Sequence, residues 1–240
     1  MTTINVNTIA PSGSTLTVGE SGDTIDAVDE IKVNTVKDAG GNTLWVSNGS
    51  GTLSSVSSGM GGALNLLSTQ TASTTTSIDF TTQLTSTYKE YVIKWLNMHP
   101  VNDGAAGFIV YASTDNTNWN SIYITSTLFT GQHAENDSEG ALEFYSDWSQ
   151  SQGTDAQASV TNVGNANDEC GNGEFHIFNP ASTTYVKNFY GVAVSAASND
   201  YAMNQYTAGY WNTTSAITGL RIRFGSGDIQ SGTAKLYGIS

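Results

Sequence analysis

The segment Ile4-Asn5-Val6-Asn7-Thr8-Ile9 returns 27 residues later as Ile31-Lys32-Val33-Asn34-Thr35-Val36. After a Gly-containing turn that is one residue longer in the second copy, the offset becomes 28. Leu16 and Val18 then match Leu44 and Val46, and Thr24-Ile25 and Val28 match Thr52-Leu53 and Val56. Each unit reads as strand, tight turn, strand, second turn and short apolar segment. Alternation of Ile4, Val6 and Thr8 with Asn5 and Asn7 gives each strand one inward face. Repeats at this period signal stacked units. A lone hairpin is marginal in water, and Trp45 is the one large aromatic in residues 1–56. The apolar face of this region is therefore expected to pack on the same face of an identical chain about a rotation axis.

The rest of the chain is also expected to be β. Thr, Ser, Gly and Asn number 32, 28, 25 and 21, which is 106 of 240 residues. Thr favours strands, and the other three favour turns over helix interiors. Residues 54–62 are small and Gly/Ser-rich, and every tyrosine, every phenylalanine and every tryptophan but Trp45 lies beyond residue 63. That shift predicts a shaft or attachment region over 1–56, a linker over 57–63 and a larger domain over 64–240.

Strands are expected in the larger domain at 64–71, 77–82, 90–98, 108–113, 121–125, 141–145, 158–163, 174–179, 187–195, 219–225 and 233–239, with long loops at 101–107, 128–140, 146–156 and 164–173. Such a series fits an antiparallel β-sandwich of jelly-roll type.

Charge narrows the partners. Eight bases stand against 21 acids, a net charge of −13. Nucleic acid binding needs clustered Lys or Arg, so it is not expected. No window approaches the ~18 apolar residues of a membrane span, and Met1-Thr2-Thr3-Ile4 has neither the basic nor the apolar region of a secretory signal. The single cysteine, Cys170, allows no intrachain disulfide and is expected in or near the core.

Chemistry-bearing patterns are sparse. His99, His133 and His176 have no zinc-ligand spacing. Glu135, Asp137 and Glu139, and Asp168 with Glu169, are acidic pairs in loops. A glycosidase pair needs a rigid cleft instead, so the chain is expected not to be an enzyme. Hard oxygen donors at Asn165, Asn167, Asp168 and Glu169 make calcium the candidate cofactor, with Asn136, Asp137 and Glu139 as a second set; neither follows the EF-hand pattern. Tyr201, Tyr206, Tyr210 and Trp211 lie among Asn and Gln residues, and Trp119 closes a hairpin tip. These five aromatics are the candidate binding residues, for a glycan or for a subunit interface.

Two stretches carry a resemblance. Residues 4–18 with Gly22-Asp23-Thr24-Ile25 resemble N-terminal segments of tail-fibre and related structural proteins of tailed phages, marine ones especially. The ending Ile217-Thr218-Gly219-Leu220-Arg221-Ile222-Arg223-Phe224, then residues 225–232, then Thr233-Ala234-Lys235-Leu236-Tyr237-Gly238-Ile239, resembles the closing strand pair of phage virion β-sandwich domains. The resemblance covers about a sixth of the chain. It implies a virion structural role, commonly trimeric, on the exterior of tail or head of a particle assembled in the host cytoplasm. Expected partners are sister copies as a homotrimer, other virion proteins and a host-surface glycan. The reading is thus a trimeric tail fibre or spike, with a capsid decoration protein or a carbohydrate-binding module as alternatives. No catalytic residue comes with the resemblance.

Overall fold

The computed structural model describes residues 33–50, 53–56, 63–105 and 107–240. The first copy of the repeat, at residues 4–28, lies outside them, as do residues 57–62 of the Gly/Ser stretch. The chain divides into two compact units, Met1–Met60 and Gly61–Ser240. The described residues of both are all-β with antiparallel sheets.

In the first unit, β1 (Thr35–Lys37), β2 (Thr43–Ser47) and β3 (Leu53–Val56) form a sheet in the order β1-β2-β3. The β1–β2 turn closes because Asn42 donates its backbone N–H and its side-chain amide to the two carboxylate oxygens of Asp38, at 2.8 and 3.0 Å. Those bonds, led by the Asn42 side chain, hold the Asp38 carboxyl below the usual carboxylate range. Gly41, at φ +82°, takes the left-handed position that a side chain would resist. None of the described residues of this unit whose exposure is defined is buried; Leu53 and Val56 are 53% and 41% exposed.

The described residues of the second unit form thirteen strands. They are β4 (Leu64–Thr75), β5 (Ile78–Phe80), β6 (Glu90–Pro100), β7 (Phe108–Ser113), β8 (Ile124–Ala134), β9 (Gly140–Phe144), β10 (Ser151–Gly153), β11 (Gln157–Val160), β12 (Gly171–Phe178), β13 (Lys187–Ala197), β14 (Tyr201–Trp211), β15 (Gly219–Phe224) and β16 (Ile229–Ile239). A nine-stranded sheet runs β10-β8-β14-β13-β12-β6-β16-β4, with β9 also paired to β8. A four-stranded sheet runs β11-β7-β15-β5.

The two sheets face each other across one core, a sandwich-like arrangement. The large sheet contributes Tyr91, Ile93, Trp95, Phe175, Phe189 and Trp211, and the small sheet contributes Phe80, Phe108, Val110, Leu220, Ile222 and Phe224. Trp95, Phe108 and Phe224 touch in sequence across the gap, with ring centres 5.1 and 5.3 Å apart. A second, smaller cluster joins Ile109 and Ala158 on the other side of β7 and β11 to Leu128, Tyr145 and Trp148. β11 is consequently buried at every position.

Two long strands depart from the sequence expectation, and the short β10 falls within the expected loop 146–156. Residues 128–134, expected to be loop, are the second half of β8, and residues 201–211, given no strand, are all of β14. Both hide their period because part of the inward face is polar. Gln205 of β14 is fully buried. It donates to Thr130 Oγ1 at 2.8 Å and to Thr161 Oγ1 at 2.7 Å, and accepts from the Thr161 N–H at 2.6 Å. A buried amide is tolerated when its donors and acceptor are satisfied this way.

Candidate interaction face of the large sheet

Side chains alternate across a strand, so the register of the large sheet fixes which residues share its outer surface. Tyr206 of β14 stands opposite Phe129 of β8 and Val192 of β13, and Phe129 stands opposite Phe144 of β9. One row therefore crosses four strands as Phe144, Phe129, Tyr206 and Val192. The next row is Leu142, Gly131, Asn204 and Val194. Phe129 and Tyr206 stack at 5.1 Å with their planes 15° apart, and the Asn204 amide donates to the Tyr206 hydroxyl at 3.2 Å.

This face is apolar and open. Leu142 is 77% exposed, Phe144 64% and Val194 48%. None of the five outward residues of β8, of β14 or of β13, nor the three of β9, is Asp, Glu, Lys or Arg. Beside the bulky row the face dips into a depression of ≈ 560 Å³, lined by Gly131, Val194, Ala196, Ala202, Asn204 and Asn172 among others.

Charge resumes at β12. Glu174 pairs with Lys94 of β6 at 2.9 Å, and this bond is the main reason its carboxyl sits below the usual range. His176 Nδ1 lies 2.6 Å from Glu90 Oε1, and its ring stacks on Tyr190 at 4.5 Å. Its Nε2 lies 3.4 Å from Glu174 Oε1, close enough for an ion pair but not aligned as a hydrogen bond. Burial, reinforced by the Glu90 charge, pushes the Tyr190 hydroxyl up.

The five candidate aromatics do not form one site. Tyr206 and Tyr210 fall on the outer face of β14, while Tyr201 and Trp211 fall on the opposite side of the same strand. Trp211 is 1% exposed and packs on Phe175 and Phe189 in the core. It is thus a core residue and offers no surface platform. Tyr201 donates its hydroxyl to Glu139 Oε2 at 2.9 Å, which raises the tyrosine above its ordinary range. Trp119, expected at a hairpin tip, sits instead in the loop that crosses from β7 in the small sheet to β8 in the large one, covered by Arg221.

The candidate calcium ligands are brought together only in part. The Asn165 amide donates to the Val101 carbonyl at 3.0 Å, and Glu169 Oε2 accepts from the Ala166 N–H at 2.6 Å. Asn167, Asp168 and Glu169 line a separate polar cleft of ≈ 700 Å³ together with His99 and Cys170. Among the described residues, no three Asp, Glu, His or Cys side chains converge as a metal site. In the second set, the Asn136 side chain closes its own turn on the Ser138 N–H. Cys170 is half-buried at the margin of both depressions and lies outside the core.

The chain matches no protein-family description, no curated protein and no solved structure. Phe129, Leu142, Phe144 and Val194 were not singled out by sequence. The signal that could have found them is the uncharged alternation of β8 and β9, which becomes visible only once the two strands are paired.

Proposed function

We propose that this chain is a non-enzymatic structural protein on the exterior of a tailed-phage particle, working by assembly and surface contact. The observation that carries the reading is the uncharged outer face of β9-β8-β14-β13. Surfaces of this apolar extent, rimmed by polar residues, mark interaction sites on otherwise soluble domains.

Strand order supports the virion part of the reading. Within the two sheets, β4-β16-β6-β12 and β5-β15-β7-β11 follow the order of an eight-stranded jelly roll, the sandwich used by viral capsid and lectin domains. On this reading, β8–β10 and β13–β14 are insertions that both widen the larger sheet on the β12 side. The resemblance of both ends of the chain to phage structural proteins points the same way. Fold alone does not assign function, so the contact face carries the argument.

The first unit supports self-assembly. A three-stranded sheet with no buried residue among those whose exposure is defined has little to hold it folded alone. In the proposed arrangement its repeat packs against sister copies, as in a trimeric fibre or spike, and the larger unit is displayed outward. Three larger units displayed on one axis would bind a surface with far higher avidity than one.

Immunogold electron microscopy on purified particles of the phage that encodes the chain tests this. Label at fixed exterior positions is expected, at the tail for a fibre and over the head for a decoration protein. Infectious particles that contain none of the chain would overturn the proposal.

A further inference from the structure

The outer face of the large sheet has a shape that says what covers it. Leu142 and Phe144 project from β9, 77% and 64% exposed. The adjoining depression of ≈ 560 Å³ counts the small residues Gly131, Ala196 and Ala202 among its lining. Leu142 and Gly131 are paired directly in register, so knob and hole are neighbours on one surface.

We propose that this face binds the same face of a second copy about a two-fold axis, with Leu142 and Phe144 of each copy entering the depression of the other. The proposal rests on the reading of the chain as an assembling protein, and it names the partner of the contact face.

Three observations favour a sister copy over other occupants. The first is symmetry. When knob and hole lie on one broad face, two such faces laid together by a two-fold rotation satisfy both contacts at once. A ring of three would instead need knob and hole on two inclined surfaces. Aligned sheet faces pack in this way in sandwich cores, about 10 Å apart.

The second is charge. Two copies of net charge −13 repel wherever carboxylates meet. The outward residues of β9, β8, β14 and β13 carry none, and the charge returns at Glu174 of β12. A basic partner would find nothing to pair with on this face. A glycan would find the Asn172 and Asn204 amides and the His133 ring in a mainly apolar trough.

The third is area. The exposed parts of Leu142, Phe144, Phe129, Tyr206, Tyr190 and Val194 come to roughly 500–600 Å² of side chain, at the upper end for a single patch on a monomer. Two such faces closed on each other bury about 1,000 Å², where specific interfaces begin.

The test is the solution mass of the full-length chain by sedimentation velocity over a hundredfold range of concentration. Wild type is compared with the double variant L142D/F144D, which places carboxylates on the knobs, and with A202W, which fills the hole. All three positions are exposed, and circular dichroism confirms that the variants stay folded. The expected result is an even number of chains in wild type and half that number in both variants, whether the halves are monomers or trimers. An unchanged mass in both variants, or an odd number of chains in wild type, overturns the proposal. A halved mass upholds it even if the chain proves absent from phage particles. An unchanged mass in a chain that is found on particles overturns this inference alone.

Discussion

Arg221 holds its guanidinium carbon 4.3 Å from the centre of the Trp119 ring. The same guanidinium donates through Nε and Nη2 to both carboxylate oxygens of Asp79, at 2.8 and 2.6 Å. Arg221 thereby ties β15 to β5 and clamps the loop that crosses from β7 to β8. This accounts for Trp119 as an anchor of that loop. Removing Trp119 or Arg221 should loosen the loop without disturbing the core.

A double-mutant cycle checks this. W119A and R221A should couple by about 0.5–1 kcal/mol, the range of a partly exposed cation–π contact. R221K should lose most of the coupling to Asp79, because an ammonium cannot reproduce the two-point fork. Urea unfolding midpoints give the values.

Asp115 governs the neighbouring turn. Its Oδ1 accepts from the backbone N–H groups of Thr117 and Asn118 at 2.9 and 2.8 Å, and its Oδ2 accepts from the Asn118 amide at 2.6 Å. These bonds, led by the Asn118 backbone N–H, hold the carboxyl far below the usual carboxylate range. Because its value in the folded chain lies below the unfolded one, the turn is fully supported above pH ~4 and lost as pH falls through the folded value. Amide exchange at Thr117 and Asn118 should stay slow at pH ~4 and accelerate only in stronger acid; in D115A it should be fast throughout.

Lys187 opens β13 with no solvent exposure, and its ammonium donates to the carbonyls of Tyr185 at 2.8 Å and Thr213 at 3.2 Å. Burial pushes its pKa below the usual lysine range. A lysine lowered on folding binds fewer protons in the folded than in the unfolded chain between the two values. Its contribution to stability therefore rises with pH toward about 10.4, the unfolded value. K187M should flatten that rise and cost about 1–3 kcal/mol at neutral pH through the two orphaned carbonyls. Urea unfolding at neutral and alkaline pH measures both effects.

Gln205 joins β14 to β8 and to the segment after β11 beneath the contact face. Q205L should cost about 1–3 kcal/mol, because the buried Thr161 N–H and two hydroxyls lose their partner. The damage should concentrate in β8 and β14, where hydrogen exchange would quicken ahead of β6 and β16.

Gln205 also explains what could be read from sequence. Strands whose inward face is wholly apolar, such as β7 with Phe108, Val110 and Ala112 and β15 with Leu220, Ile222 and Phe224, were legible from alternation alone. β14 was not, because Gln205 and Thr207 occupy inward positions that alternation reserves for apolar residues. The aromatics of 201–211 consequently looked like one cluster. In the fold, β-strand geometry sends Tyr206 outward and Trp211 into the core. The oxygen donors at 165–169 suggested a cation loop for a similar reason: composition shows the donors, but only the fold shows Asn165 turned to Val101 and Glu169 closing on Ala166. The contact face was the least legible feature, since its row of Phe144, Phe129 and Tyr206 comes from three strands and exists only in register.

The claim that identical chains join to do this protein's work is tested most directly by light scattering on the purified, full-length chain. The account predicts a particle whose mass is a multiple of 25.3 kDa and holds across dilution. A well-folded species of 25.3 kDa at every concentration would contradict it.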